Sequence, residues 1–153
     1  MKGSGTMKKI FAVLLVLALA AILLPASAES YTPAAQKADA VPEDFIGDWV
    51  CKYADNRGTI VDAESHLEEL GMYKPMTVSI GDTLAEFSGI QEMESGAMPI
   101  SFAGGTMVFE PEPGVTVFTL TPLEDGAIMM KFNMIEGAWP LYLFKVEAEE
   151  PAA

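Results

Sequence analysis

The sequence offers few side chains that could carry out a reaction. It contains one cysteine, Cys51, and one histidine, His66, so a thiol nucleophile activated by an imidazole base would need these two residues side by side. Cys51 alternates with Trp49 and Tyr53, which predicts a buried strand position for the thiol. His66 lies in a polar segment that predicts a helix, where we expect it on the surface. The sequence therefore predicts a protein that is not an enzyme.

The carboxylates form no recognisable metal site. Zinc sites require several His or Cys ligands, and Asp55-Asn56-Arg57-Gly58 is too short for a calcium-binding loop of the EF-hand type. The members of the pairs Glu92/Glu94 and Glu110/Glu112 are one residue apart, which predicts that both face solvent from a strand or loop. We expect no metal ion and no cofactor.

A different kind of site is indicated by methionine and phenylalanine residues at alternating positions. Methionine is flexible and polarizable, and it adapts to irregular apolar partners. If the strands close into a barrel, its interior is lined by Met76, Met98, Met107, Met130, Phe87, Phe102 and Phe132. An eight-stranded barrel is just wide enough either to hold one small ligand or to be filled by its own side chains. Both interpretations remain open.

Eight short segments alternate between apolar and polar residues and are separated by turn residues such as Gly81-Asp82 and Gly104-Gly105. Such alternation predicts strands with one buried face, which is typical of antiparallel sheets. The predicted strands are residues 48–53, 76–80, 83–89, 98–103, 106–110, 115–121, 127–134 and 139–146. Because they follow one another in hairpin succession, and because closure removes exposed edges, they favour an all-β, eight-stranded antiparallel up-and-down barrel.

One insertion interrupts this succession between the first and second predicted strands. The segment from Asp62 to Gly71 predicts a short helix, with Asp62 as its N-cap and Gly71 just after its C-terminus. Leu67 and Leu70 are spaced to form an apolar edge. We expect the helix to lie across one mouth of the barrel with these two leucines pointing inward.

The start of the first strand, Phe45-Ile46-Gly47-Asp48-Trp49, resembles the Gly-x-Trp signature that opens lipocalins and lipocalin-like domains. In that family a short helical turn precedes the signature, and Pro42–Phe45 could supply one. The resemblance implies that Trp49 plugs the closed end of the barrel and that a basic side chain of the last strand, here Lys145, covers it. Gly47, Trp49 and Lys145 are therefore the expected structural residues.

The chain is also similar to small exported bacterial lipocalin-like domains of unknown role. These often carry a G-x-x-x-D-A-E segment, a short helix ending in Leu-Gly-Met, and a strand with a tight turn. Here these features correspond to residues 58–64, 70–72 and 76–82. The relatives tend to have Asp-Gly at the turn, whereas this chain has Gly-Asp, and its single cysteine cannot form the lipocalin disulfides. The resemblance covers most of residues 42–146.

The first residues predict an export signal. Lys8-Lys9 precedes an uninterrupted apolar run, Ile10–Leu24, and Ala26-Ser27-Ala28 supplies the small-x-small pattern that signal peptidase cleaves. We expect cleavage after Ala28, with Ala26 and Ala28 as the recognition residues. The run is shorter than the roughly 20 residues that a spanning helix needs, and no cysteine stands immediately after the site. The sequence thus predicts a secreted or extracytoplasmic protein that is not a lipoprotein and is not stably inserted in a membrane after cleavage.

The expected organisation is a signal peptide over 1–28, a disordered linker over 29–41, one barrel domain over 42–146 and a disordered acidic tail over 147–153. Cleavage leaves 6 Lys and Arg against 22 Asp and Glu, a formal charge of −16. This charge argues against nucleic acid and anionic membranes as partners, because both would be repelled.

Three non-enzymatic functions fit these observations. The first is binding of a small apolar ligand in the barrel, in contact with Leu67, Leu70, Phe87, Phe102, Met130 and Phe132. The second is an acidic interaction module that binds a cationic peptide or protein. The third is a structural domain of the cell envelope.

Overall fold

The computed structural model describes residues 31–91 and 96–147. Its strands are β1 (Gly47–Asn56), β2 (Thr59–Asp62), β3 (Met72–Ile80), β4 (Leu84–Ile90), β5 (Gly96–Ala103), β6 (Thr106–Phe109), β7 (Phe118–Pro122), β8 (Ile128–Phe132) and β9 (Leu141–Lys145). Each strand is antiparallel to its neighbours, and β1 also pairs with β9. This last pairing closes β1 and β3–β9 into an eight-stranded barrel.

The predicted fold class is confirmed. All eight predicted strands coincide with barrel strands within a few residues at each end. The sequence does not predict β2, a four-residue strand that pairs with the outer half of β1, because so short an alternation does not stand out from the turns beside it. The predicted signal peptide, with Ala26 and Ala28, lies outside the described residues, as do residues 148–153 of the predicted tail. Within the described ranges, no helix is long and apolar enough to cross a membrane.

Strand β1 changes the face it buries at its middle. Its pairing with β9 shifts by one residue between Cys51 and Tyr53, which leaves Lys52 as a β-bulge. Trp49 and Cys51 point into the barrel, but after the bulge Ala54 is the buried residue and Tyr53 lies on the outer wall. The prediction that Tyr53 shares the face of Cys51 is therefore wrong, because one extra residue reverses the alternation of a strand.

The predicted helix between the first two barrel strands is shorter than expected. Only Glu64–His66 is helical, as a single 3-10 turn, and further turns lead to Gly71. The residues that flank this turn are Ala63 and Leu67, so the predicted ends at Asp62 and Gly71 are wrong. The Asp62 carboxylate still accepts a 3.0 Å hydrogen bond from the backbone N–H of Ser65, and Gly71 has a φ of 67°. A helix this short is marginally stable by itself, because few hydrogen bonds offset the cost of forming its first turn.

Residues 31–41, for which the sequence predicts a disordered linker, instead lie along the outer wall of the barrel. The backbone N–H of Lys37 donates to the carbonyl oxygen of Pro122, and that of Glu124 donates to the carbonyl oxygen of Ala35, both at 2.9 Å. These contacts use backbone groups, which leave no periodic signature in a sequence. We call residues 31–41 the N-terminal arm; a 3-10 turn, Pro42–Asp44, joins it to β1.

Side chains fill the interior of the barrel. Phe118 is fully buried, and the rings of Phe87, Phe109 and Phe132 meet it edge-on with centroids 5.8, 5.7 and 4.7 Å away. Three methionines that were expected in the interior are also buried: Met76, Met107 and Met130. Of the two interpretations that the sequence leaves open, this packing favours a filled barrel.

Candidate functional site

One end of the barrel is closed by aromatic side chains. The buried indole of Trp49 donates a 2.8 Å hydrogen bond from Nε1 to the carbonyl oxygen of Phe45, whose ring lies edge-on to that of Phe102. Lys145 Nζ lies 5.9 Å from the centroid of the Trp49 ring. Gly47 leaves room for this lysine, since a Cβ there would lie 2.9 Å from Lys145 Cε. We call this end of the barrel the closed end.

The opposite end, which we call the mouth, includes the connections that follow β2, β6 and β8. We call residues 64–71, 110–117 and 133–140 the mouth loops. A cleft of about 360 Å³ separates the first of these loops from the third. We call it the mouth cleft.

The mouth cleft has an apolar floor and a polar rim. Leu70 and Trp139 are half-buried and pack against the core of the barrel. Ile135 leaves 58 % of its surface exposed at the edge of the cleft, and the carboxylates of Glu69 and Glu136 stand beside it. An exposed apolar surface with a polar rim is typical of a binding site. The cleft can take up an apolar group, and its carboxylates favour a positive charge next to that group.

The chain matches no family model, no curated protein and no solved structure. No relative therefore supplies a ligand or the role of a residue. The candidate site depends on the geometry of the mouth and on the side chains that line it.

The structure does not bring the six predicted ligand-contacting residues together in one cavity. Leu67 and Leu70 lie in a mouth loop, and Leu70 lines the mouth cleft. The other four belong to the packed interior or lie beside the closed end: Phe87, Met130, Phe132 and Phe102. The strand alternation predicts inward-facing residues correctly, but it carries no information on how completely they fill the space between them.

Two important residues of the cleft, Ile135 and Trp139, are absent from the predicted site. Both lie in the loop between β8 and β9. Ile135 falls between two predicted strands, and Trp139 is the first residue of a predicted strand that in the structure begins only at Leu141. A signal was available, because large apolar residues are unusual in an exposed loop. Met134 and Ile135 are 60 % and 58 % exposed.

A larger groove, of about 430 Å³, lies on the outer wall over β1, β3 and β4, but it is a weaker candidate. Its polar groups bind one another: Ser79 Oγ donates to Asp48 Oδ1 at 2.7 Å, and the hydroxyls of Thr77 and Ser88 are 2.8 Å apart. Side chains that satisfy each other in this way are typical of the solvated face of an antiparallel sheet.

Cys51 and His66 lie in different surroundings. Cys51 is buried in the barrel, where its Sγ contacts the carbonyl oxygen of Tyr53 at 3.6 Å. Burial raises the pKa of this thiol to about 12, so the nucleophilic thiolate is disfavoured at neutral pH. His66 lies in a mouth loop, with Nδ1 2.8 Å from the carbonyl oxygen of Asp62. Among the residues that the structure describes, no three His, Cys, Asp or Glu side chains are grouped so that they could hold a metal ion.

Proposed function

We propose that this protein is an exported, non-enzymatic binding protein with a lipocalin-like barrel, and that it takes up an apolar group in its mouth cleft. The observation that carries the proposal is the apolar floor formed by Leu70 and Trp139 in the mouth, with Ile135 exposed at its edge. Since the interior is filled, the ligand binds at the mouth and not in the lumen. This departs from the sequence-based expectation of a ligand inside the barrel.

Export and the absence of catalysis have separate support. Export is supported by the apolar run Ile10–Leu24 and by the small-x-small pattern Ala26-Ser27-Ala28. A non-enzymatic role is supported by the burial of Cys51 and by the position of His66 in a mouth loop. These features agree with a protein that binds a molecule outside the cytoplasm and leaves it unchanged.

The proposal is tested with N-phenyl-1-naphthylamine, an uncharged apolar dye whose fluorescence rises when it is bound. The variant Ile135→Ser removes an exposed apolar side chain from the cleft. We expect it to raise the Kd of the dye about tenfold, since the contact area of one aliphatic side chain is worth roughly 1.5 kcal/mol. The matched control is Leu84→Ser, which removes a side chain of similar exposure, 49 %, at the closed end of the barrel.

The control should bind the dye as tightly as the unchanged protein. Failure of the dye to bind would overturn the proposal. So would an equal loss of affinity in both variants, because the dye would then be adsorbing to exposed apolar side chains wherever they occur. Both changes replace exposed residues, so neither should unfold the barrel.

A further inference from the structure

We infer that the apolar group bound at the mouth is a side chain of a basic, amphipathic peptide. This inference rests on the proposed function and adds the chemical class of the partner. It follows from the charge of the mouth loops, from the shape of the mouth cleft and from the way its apolar and acidic residues are arranged.

The mouth loops carry negative charge without any compensating lysine or arginine. Residues 64–71 contain three glutamates, residues 110–117 contain two and residues 133–140 contain one, and no Lys or Arg occurs in these loops. Glu69 and Glu136 come from the two loops that wall the mouth cleft. Positive groups are therefore attracted to the rim, and anionic partners such as acidic lipid surfaces are repelled.

The shape of the cleft favours a peptide over a small lipid-like molecule. Sites for small ligands enclose most of the ligand's surface, whereas this cleft of about 360 Å³ is open to solvent. The glutamates are spread over three loops, which matches several cationic groups held along one chain. Peptides that bind in grooves use the same combination of apolar anchors and flanking charges.

The acidic residues of the cleft are next to its apolar residues in the sequence, an arrangement that suits an amphipathic peptide. Leu70 and Trp139 form the floor, and Glu69 and Glu136 precede or follow apolar residues that line it. An apolar side chain that enters the cleft therefore brings its neighbouring residues within reach of a carboxylate. A lysine or arginine next to the anchor gains an ion pair, which strengthens binding at low ionic strength.

The test uses calorimetric titration with three synthetic peptides of equal length. The first contains only lysine and leucine in an amphipathic helical pattern. The second has glutamate in place of each lysine, and the third has serine in place of each leucine. We expect the lysine–leucine peptide to bind, and to bind more weakly as salt is added, whereas the other two peptides bind at least about tenfold more weakly.

Two double variants locate the binding site. Glu69→Gln with Glu136→Gln removes both carboxylates from the mouth cleft, and we expect about a tenfold loss of affinity for the lysine–leucine peptide. The matched control, Asp82→Asn with Glu86→Gln, removes the same charge from exposed positions away from the mouth. The control should retain the affinity of the unchanged protein.

Equal binding of the glutamate–leucine peptide would overturn the inference, and so would equal losses in the two double variants. The uncharged dye separates this inference from the proposed function. If the dye binds in an Ile135-dependent way and the lysine–leucine peptide does not bind, the apolar site stands and the basic peptide is the wrong partner. If neither molecule binds, the proposed function fails as well.

Discussion

Tyr31 stacks face to face on Tyr53, with ring centroids 5.0 Å apart and an angle of 14° between the ring planes. The ring of Tyr31 also meets Tyr142 and Phe144 edge-on, with centroids 5.4 and 5.0 Å away. Tyr53 belongs to β1, whereas Tyr142 and Phe144 belong to β9. The N-terminal arm therefore crosses the seam at which the first and last barrel strands meet.

Replacement of Tyr31 by alanine should destabilise the barrel. We expect Tyr31→Ala to lower the free energy of unfolding by about 2 kcal/mol, since it removes three aromatic contacts. The loss should appear mainly as faster unfolding, because the arm can dock only on a formed seam. Folding and unfolding rates measured against denaturant concentration check this. The control is Tyr73→Ala, at a tyrosine that is 57 % exposed, and it should change neither rate. If Tyr31→Ala slowed folding and left the unfolding rate unchanged, late docking of the arm would be contradicted.

The hydroxyl of Tyr31 makes stability dependent on alkaline pH. Burial, together with its 2.8 Å hydrogen bond to Asp125, raises the pKa of Tyr31 above its ordinary value of 10.0. As pH rises, the hydroxyl of Tyr31 therefore loses its proton in the unfolded chain before it does so in the folded protein. Its contribution to the free energy of unfolding is complete below about pH 10 and is lost as pH rises further. Tyr31→Phe should show a smaller loss of stability above pH 10 than the unchanged protein. Identical pH profiles of the two proteins, measured by denaturant unfolding, would contradict this assignment.

The hydrogen bond at the closed end can be tested without removing the aromatic plug. Trp49→Phe keeps a ring in the barrel but leaves the buried carbonyl oxygen of Phe45 without its donor. We expect a loss of about 1–3 kcal/mol in the free energy of unfolding. Trp139→Phe, at a half-buried ring of the mouth, should lose less than Trp49→Phe. Equal losses would mean that the cost reflects ring size alone.

Gly89 lets β4 approach β3 closely where the pairing between Met72 and Thr77 is irregular. A Cβ at Gly89 would lie 2.9 Å from Met76 Cα and 3.0 Å from the carbonyl oxygen of Lys74, and backbone atoms cannot turn aside. Gly89→Ala therefore combines a steric clash with an unfavourable φ of 112°. We expect this variant to lose more than about 3 kcal/mol in the free energy of unfolding, measured by denaturant unfolding.

Gly58→Ala is the matched control for this change. Gly58 has a similar φ of 95°, but no atom lies within 4 Å of the position that a Cβ would take there. The Gly58→Ala variant should lose about 1–2 kcal/mol in the free energy of unfolding, which is the cost of the unfavourable φ alone. If the two alanine variants were equally stable, the close approach of β3 and β4 would not restrict the residue at position 89.

The thiol of Cys51 should resist modification while the barrel is folded. It is 1 % exposed, and burial raises its pKa to about 12. We expect iodoacetamide at neutral pH to leave the native protein unmodified and to alkylate it fully in denaturant, as read by mass spectrometry. Rapid alkylation of the native protein would show that β1 opens locally without global unfolding.

Much of the barrel follows from the alternation of apolar and polar residues, because each strand buries one face. That pattern correctly assigns Phe87 and Met130 to the interior. It fails at Lys52, where a bulge reverses the alternation although no glycine or proline marks the position, and so Tyr53 points outward. Bulges depend on how two strands pair, and that pairing joins residues far apart in the sequence.

The candidate site is less predictable than the fold for a related reason. Leu70 lies in the turns between Asp62 and Gly71, a segment whose turn residues the sequence reveals. Ile135 and Trp139 belong to an irregular loop, and their position opposite Leu70 results from closure of the whole barrel. The docking of the N-terminal arm is hard to predict for the same reason. Its docking surface consists of β1, β9 and the turn after β7, which are far apart in the sequence.

The N-terminal arm is made before the barrel strands during synthesis, yet its docking surface is complete only once β9 has been made. Tyr31 contacts both walls of the seam, and β9 is the last strand in the described part of the chain. A truncated or half-folded chain offers it only one wall. Docking of Tyr31 therefore distinguishes the closed barrel from an open sheet. The open sheet has two unpaired edge strands, and it is the form most prone to aggregation.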